Sequence, residues 1–167
     1  MKILKGDLLS QDTDCLVNPW NMNIIPHWLI VPGGVYGQLI KRAGKQPFRE
    51  LASWGMMRPG TACMTDGGSL GRPIIHVAGL NLLWRSSEAI VYRCVLSALA
   101  LASSAGVGSV AMPLIGAGTG GLTEDQSYEA IEAAVSMSSF RGEVRLILWE
   151  SAKGESLEKL SDHPSCG

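Results

Sequence analysis

Apolar positions along the chain follow two alternating patterns. Short β-rich apolar runs at Met1–Lys5, Asp14–Asn18, Thr61–Thr65, Pro73–Ala78, Ser109–Ile115 and Val144–Trp149 predict strands. Between them, apolar residues recur at helical spacing over Val35–Ala43, stopped by Gly44, Pro47–Met56, Ser86–Ser104, stopped by Gly106, and Thr123–Ser138. Thr123 followed by Gln126 reads as a capping box, and Glu124 and Asp125 in the first turn suit the positive end of that helix. Strands alternating with helices imply a mostly parallel sheet covered on both faces, and the run from Val110 to Ile115 lacks the polar alternation of a half-exposed strand. The expected fold is α/β: a three-layer α/β/α sandwich around a six-stranded mixed sheet. Such sheets bind ligands at the carboxyl ends of their strands, so the loops that follow those ends are where function is sought.

Composition narrows the classes. A chain of 167 residues is expected to form one domain, here 1–150, followed by a tail, 151–167, with one short helical pattern at Ser156–Leu160. The hydrophobic share of 46% excludes general disorder. With 14 Lys+Arg against 15 Asp+Glu and no basic cluster, there is no electrostatic footprint for duplex nucleic acid or an anionic membrane. Any anionic ligand must then be held by local geometry. Cys15, Cys63, Cys94 and Cys166 are far apart, without zinc spacing, and are expected to be reduced, with no metal and no cofactor. No signal sequence opens the chain and its apolar runs are too short to span a bilayer, so a soluble cytoplasmic protein is expected; the oligomeric state stays open.

The 20 glycines are nearly twice the usual share of roughly 7%, and they cluster. Gly116-Ala117-Gly118-Thr119-Gly120-Gly121 follows a buried strand and precedes the capped helix. Lacking Cβ atoms, such a loop lets backbone N–H groups approach a phosphate or pyrophosphate, or else it is a tight turn that needs positive φ. Pro32-Gly33-Gly34-Val35 also feeds into a helix and is by itself a simple turn as readily as a site. The first loop matches G-x-G-x-x-G, which raises a Rossmann oxidoreductase as a rival. That fingerprint belongs to the first βαβ unit, with an acidic residue ending the next strand; here the loop comes late and Glu143 precedes the next strand.

Gly6-Asp7-Leu8-Leu9 follows the first strand and Asn18-Pro19-Trp20-Asn21 the second. Asp7 is either a turn or cap residue or, facing a ligand, a carboxylate able to accept from an exocyclic amine such as that of adenine. Asn21 offers the donor and acceptor that ribose hydroxyls require, or it stabilises the turn. His76, in an apolar strand, reads as a hydrogen-bonded core histidine rather than a catalyst.

Taken together, Gly6-Asp7-Leu8, Asn18-Pro19-Trp20-Asn21, Gly33-Gly34-Val35, Ile74-Ile75-His76-Val77-Ala78-Gly79 and Pro113-Leu114-Ile115-Gly116-Ala117-Gly118-Thr119-Gly120-Gly121 resemble, in that order, the macrodomain family, which binds ADP-ribose. The resemblance runs from Lys2 to about Trp149. It implies that Asp7 binds the adenine amino group beside the Leu8 backbone, that Asn21 holds the distal ribose, and that Gly33, Gly34 and Val35 line the first phosphate and ribose loop. Ile115 and Gly116, Ala117, Gly118, Thr119 and Gly120 would cradle the diphosphate, and Trp149 would close the adenine pocket or, as a packed strand-end aromatic, only cover the core.

Three departures from the family pattern stand out. Tyr36 follows Gly-Gly-Val where the hydrolase branch usually has Asp, so the carboxylate that could orient or deprotonate water is missing there. The stretch between Asn21 and Gly33, with Pro26, His27 and Trp28, is longer than in typical members and would form a lid or reshape the distal pocket; His27 would serve there as a base or a loop anchor. Gly120 stands where many members pack an aromatic on the distal ribose, leaving that end more open. The resemblance implies ADP-ribose or an ADP-ribosylated substrate as partner. It implies hydrolysis of an ADP-ribosyl bond, on protein, nucleic acid or a metabolite such as O-acetyl-ADP-ribose or ADP-ribose-1''-phosphate. Asn21, Gly33 and Gly34 would position the water, with assistance from the substrate phosphate. The alternative is a non-catalytic reader of ADP-ribose.

Overall fold

The computed structural model describes residues 1–24 and 34–149. Gly33, the Pro26-His27-Trp28 stretch, Cys166 and the helical pattern at Ser156–Leu160 lie outside them. In chain order the elements are β1 (Lys2–Lys5), β2 (Cys15–Trp20), α1 (Gly34–Ala43), α2 (Gln46–Ser53), β3 (Ala62–Thr65), β4 (Ile74–Ala78), α3 (Glu88–Ser104), β5 (Ser109–Pro113), α4 (Glu124–Met137) and β6 (Glu143–Leu148). The six strands form one sheet in the order β1-β6-β5-β2-β4-β3, parallel throughout except for β3, which runs antiparallel to β4.

Alternation along the central strands builds two cores. On β2, Cys15 and Val17 point to one face, where they join Ile75, Val77, Val110 and Met112 beneath α3 and α4. Leu16 and Trp20 point to the other, against Leu39 of α1 and Phe48 and Leu51 of α2. The result is the three-layer α/β/α sandwich expected of strands apolar on both faces. Each fully buried Leu, Val or Phe contributes about 1.5–3 kcal/mol, so both helical layers are held chiefly by these contacts.

Element ends follow from local chemistry. The Thr123 hydroxyl accepts from Gln126 N–H at 3.1 Å while the Gln126 side chain accepts from Thr123 N–H at 2.9 Å, the expected capping box. Helix α2 ends at Ser53, short of Met56, because Trp54 N–H turns back to the Leu51 carbonyl and Gly55 takes φ +69°. Strand β5 stops at Pro113, where pairing with Ile147 ends, while β2 runs two residues past Asn18.

That extension of β2 shapes the molecule. Leu16 N–H donates to Pro73 and the Trp20 carbonyl accepts from Gly79 N–H, so the even-numbered residues of β2 turn their backbone groups to β4 and the odd-numbered ones toward β5. Pairing with β5 covers only Cys15↔Val110 and Leu16↔Ala111, whereas pairing with β4 continues to Trp20↔Ala78. The two neighbours therefore part toward their carboxyl ends. Pro19, which has no N–H to offer, sits where β5 no longer asks for one. Among the described residues no helix is long and apolar enough to cross a membrane.

Candidate functional site

A cleft of about 490 Å³ occupies the split between β2 and β5. Its walls are the ends of three parallel strands and one helix start: Pro19, Trp20 and Asn21 after β2, Gly79, Leu80 and Trp84 after β4, Leu114 with the glycine loop after β5, and Gly34, Val35 and Tyr36 opening α1. This is the crevice at strand carboxyl ends where open α/β sheets bind ligands. No charged side chain stands among the described lining residues.

The glycine loop is built from glycines with two different duties. At Gly116, φ is +79° and a Cβ would lie 2.6 Å from Ser86 Oγ; at Gly120, a Cβ would lie 2.6 Å from the Gly116 carbonyl oxygen. Neither position admits a side chain. At Gly118 a Cβ would meet nothing within 4 Å, so the space beside it is the open cleft. Three of the loop's carbonyls are engaged by the protein: Gly116 O accepts from Leu122 N–H, Gly118 O from Gly121 N–H and Gly120 O from Ser86 N–H. Occupying those oxygens removes the groups that would repel an anion in the cleft.

Helix α4, which follows this loop, has its first turn closed by its own capping box, and the lining ends at Gly120. The helix start that does face the cleft is that of α1, through Gly34, Val35 and Tyr36.

Asn21 lines the cleft; its Oδ1 accepts from Asn23 N–H at 2.7 Å, which leaves its amide NH₂ as the donating group. Tyr36 also lines it, yet is only 7% exposed, edge-on to Trp20 at 5.0 Å and to Phe48 at 4.9 Å, and burial raises its pKa. Position 36 thus belongs to an aromatic core that lies directly beneath the cleft.

Asp7 and Trp149 stand further along the same edge, after β1 and β6. Gly6 N–H donates to the Leu148 carbonyl at 3.0 Å, which sets Asp7 beside the end of β6, and Trp149 follows Leu148 with 58% of its surface exposed. Asp7 caps a single 3₁₀ turn, Leu8–Ser10: Oδ1 accepts from Leu9 N–H at 2.9 Å, and Oδ2 accepts from Ser10 Oγ at 2.6 Å and Arg42 at 2.5 Å. Partial burial raises the Asp7 pKa, but the hydrogen bonds from Ser10 and Leu9 and the Arg42 charge outweigh it and hold the carboxyl below its usual range. Leu8 is buried in the α1/α2 core. Ile115 is fully buried against Gly79, and its carbonyl accepts from Ser127 Oγ at 2.8 Å. The cleft lining itself takes in Asn21, Gly34, Val35, Gly116, Gly118, Thr119 and Gly120, while Asp7, Leu8, Ile115, Ala117 and Trp149 lie outside it.

His76 is fully buried in β4 and makes no part of the lining. Asn18 Nδ2 donates to its Nδ1 at 3.0 Å and its Nε2 meets Thr65 Oγ1 at 2.8 Å. The Thr65 hydroxyl gives its proton to the Asp66 carbonyl, so it accepts from Nε2, and both contacts suit a neutral ring. Burial drives the His76 pKa down to about 3. Cys15, Cys63 and Cys94 are buried free thiols pushed up to about 12 by desolvation, and no cluster of metal-ligating side chains gathers among the described residues.

Leu80 and Trp84 belong to none of the sequence motifs. The rule that ligands sit beyond strand ends points to the residues after Ala78, and would have found both.

The family model described as Macro domain matches residues 17–131. The chain belongs to the macro domain family. An uncharacterized protein of Aeropyrum pernix is 35% identical over 158 residues, covering 93% of this macro domain chain and 79% of its own. A Cronobacter turicensis protein named O-acetyl-ADP-ribose deacetylase is 30% identical over 130 residues, 71% of this chain and 68% of that one. Among solved structures, a Trypanosoma brucei macrodomain in complex with ADP-ribose shares the fold with TM-score 0.74 at 19% identity, over 88% of this chain and 62% of that one. The Rossmann alternative falls with the family assignment, in keeping with a glycine loop that follows the fifth strand.

Proposed function

We propose that this macro domain binds ADP-ribose along the sheet edge and hydrolyses an ADP-ribosyl bond. The observation that carries the reading is the uncharged cleft with its glycine loop. A diphosphate there would be met by backbone amides and the start of α1, with the Gly116, Gly118 and Gly120 carbonyls already engaged elsewhere. Adenine would lie toward Asp7 and Trp149, and the terminal ribose toward Asn21. The Trypanosoma brucei relative with ADP-ribose supports the ligand class.

For hydrolysis, water attacks the anomeric carbon as the bond to the leaving group breaks, and the water's proton passes to that group. The transition state is oxocarbenium-like, so a nearby substrate phosphate would stabilise it, and the Asn21 amide with the backbone at Gly34 would place the water. The relative named O-acetyl-ADP-ribose deacetylase makes an ester on ADP-ribose one substrate to try; there the same water would attack the acetyl carbonyl carbon, the acyl C–O bond would break, and the water's proton would pass to the ribose oxygen as acetate leaves. One observation favours a second reading, a reader without turnover: position 36 carries a core tyrosine in place of a carboxylate.

Calorimetry with ADP-ribose, AMP and NAD tests binding; micromolar ADP-ribose affinity is expected, and preference for NAD would sink the reading. Release of ADP-ribose from carboxylate-, arginine- and base-linked substrates and from O-acetyl-ADP-ribose tests turnover. Tight binding with no release on any of them leaves the reader.

A further inference from the structure

Resting on the cleft as an ADP-ribose site, we infer that Trp84 packs on the terminal ribose and sets the preference for ADP-ribose over ADP. With adenine toward Asp7 and Trp149, as proposed above, the sheet order gives the ligand a direction. Asp7 and Trp149 follow β1 and β6 on one side of the β5/β2 split, while Gly79, Leu80 and Trp84 follow β4 on the other. A ligand with its base at the first side and its diphosphate on the glycine loop extends its last sugar toward Asn21 and Trp84.

Among the described lining aromatics, Trp84 is the most exposed. Trp20 and Tyr36 are 4% and 7% exposed and pack on each other, whereas Trp84 is 43% exposed. Positions 116 and 120 are closed to side chains by Ser86, which belongs to the same loop as Trp84. Access to the ring is thus set from the β4 loop.

The loop holds the indole in an unusual backbone conformation. Trp84 has φ +59°, which a bulky residue rarely adopts, and such outliers point toward function when their surroundings enforce them. Asn81 enforces this one: its Oδ1 accepts from Leu83 N–H at 2.9 Å and Arg85 N–H at 3.1 Å, and its carbonyl accepts from Trp84 N–H at 3.0 Å. Ser86 N–H then donates to the Gly120 carbonyl at 2.9 Å, tying the ring's position to the phosphate loop. An aromatic face held there covers the apolar C–H face of a sugar. ADP stops at its second phosphate and does not reach it.

The test is calorimetry with ADP-ribose and ADP on the wild type, Trp84→Ala, Trp84→Phe and, as a loop control, Leu83→Ser. Trp84→Ala is expected to weaken ADP-ribose about tenfold and ADP less than about twofold; Trp84→Phe should keep most of the affinity and Leu83→Ser all of it. Equal weakening of both ligands by Trp84→Ala, or of neither, overturns the role of Trp84 while leaving the cleft reading in place. Binding of neither ligand by the wild type overturns that reading and this inference with it. Should the alanine variant fail to fold, Trp84→Phe decides by fluorescence: ADP-ribose should quench the wild type more than ADP does, a difference absent in the variant. An identical difference in both proteins refutes the contact.

Discussion

Ser86 and Gly120 join the two loops of the cleft: the Ser86 N–H donates to the Gly120 carbonyl at 2.9 Å, and the Ser86 Cβ would sit 2.7 Å from any Cβ added at Gly120. A side chain at 120 must push the loops apart. Gly120→Ala is therefore expected to lower both the melting temperature and ADP-ribose affinity. Gly118 has open space instead, so Gly118→Val should keep the melting temperature and cut ADP-ribose affinity by about tenfold or more. Thermal melts beside calorimetry separate the two. A Gly118→Val protein that binds normally would show that the loop is only a turn.

Asp7 has two duties that one substitution can separate. Asn at this position still caps the turn through an oxygen on Leu9 N–H, so Asp7→Asn should change stability by less than about 0.5 kcal/mol. It replaces the oxygen now facing Ser10 and Arg42 by an NH₂, which cannot accept from an adenine amine. AMP and ADP-ribose are both expected to bind about tenfold more weakly. Unchanged affinity for both would leave Asp7 as a cap alone.

Restoring a carboxylate at position 36 is expected to fail. Tyr36 packs edge-on against Trp20 and Phe48 and is nearly buried, so Tyr36→Asp removes an aromatic from that cluster and puts a charge in its place. The loss should exceed about 3 kcal/mol, read as a fall in denaturation midpoint, with no gain in ADP-ribose release. A stable variant with new turnover would mean that the position is catalytic ground after all.

These cases mark what was legible in the chain. The strands could be read because β2, β4 and β5 are buried on both faces, which leaves unbroken apolar runs such as Ile74-Ile75-His76-Val77-Ala78. The glycine loop could be read because its spacing is local. Trp84 could not, since its place depends on β4 lying next to β2 and on an Asn81 turn whose signal is a single residue among exposed leucines. The core role of Tyr36 was equally hidden: it requires α1 and α2 to stack their aromatics over Trp20, contacts that sequence spacing does not encode.

His76 gives a pH test of the sheet interior. Its pKa in the folded protein is about 3 against 6.5 for an ordinary histidine, because burial opposes the charged ring. Between these values the unfolded chain binds a proton at this site and the folded one does not, so stability rises with pH. The contribution is full above about pH 6.5 and is lost as pH falls toward 3, at up to about 1.4 kcal/mol per pH unit. Asp7 and Glu143, whose pKa values are lowered from 3.8 and 4.5, lose their contributions in the same direction but only at more acid pH. The window from about pH 6.5 to 5 lies above both carboxylates, and running the profile in a His27→Gln, His163→Gln background leaves His76 as the one histidine titrating in it. Denaturant midpoints should fall steadily across it. A flat profile there would mean that His76 accepts a proton in the folded state, and with it that the Asn18-His76-Thr65 chain is hydrated rather than sealed.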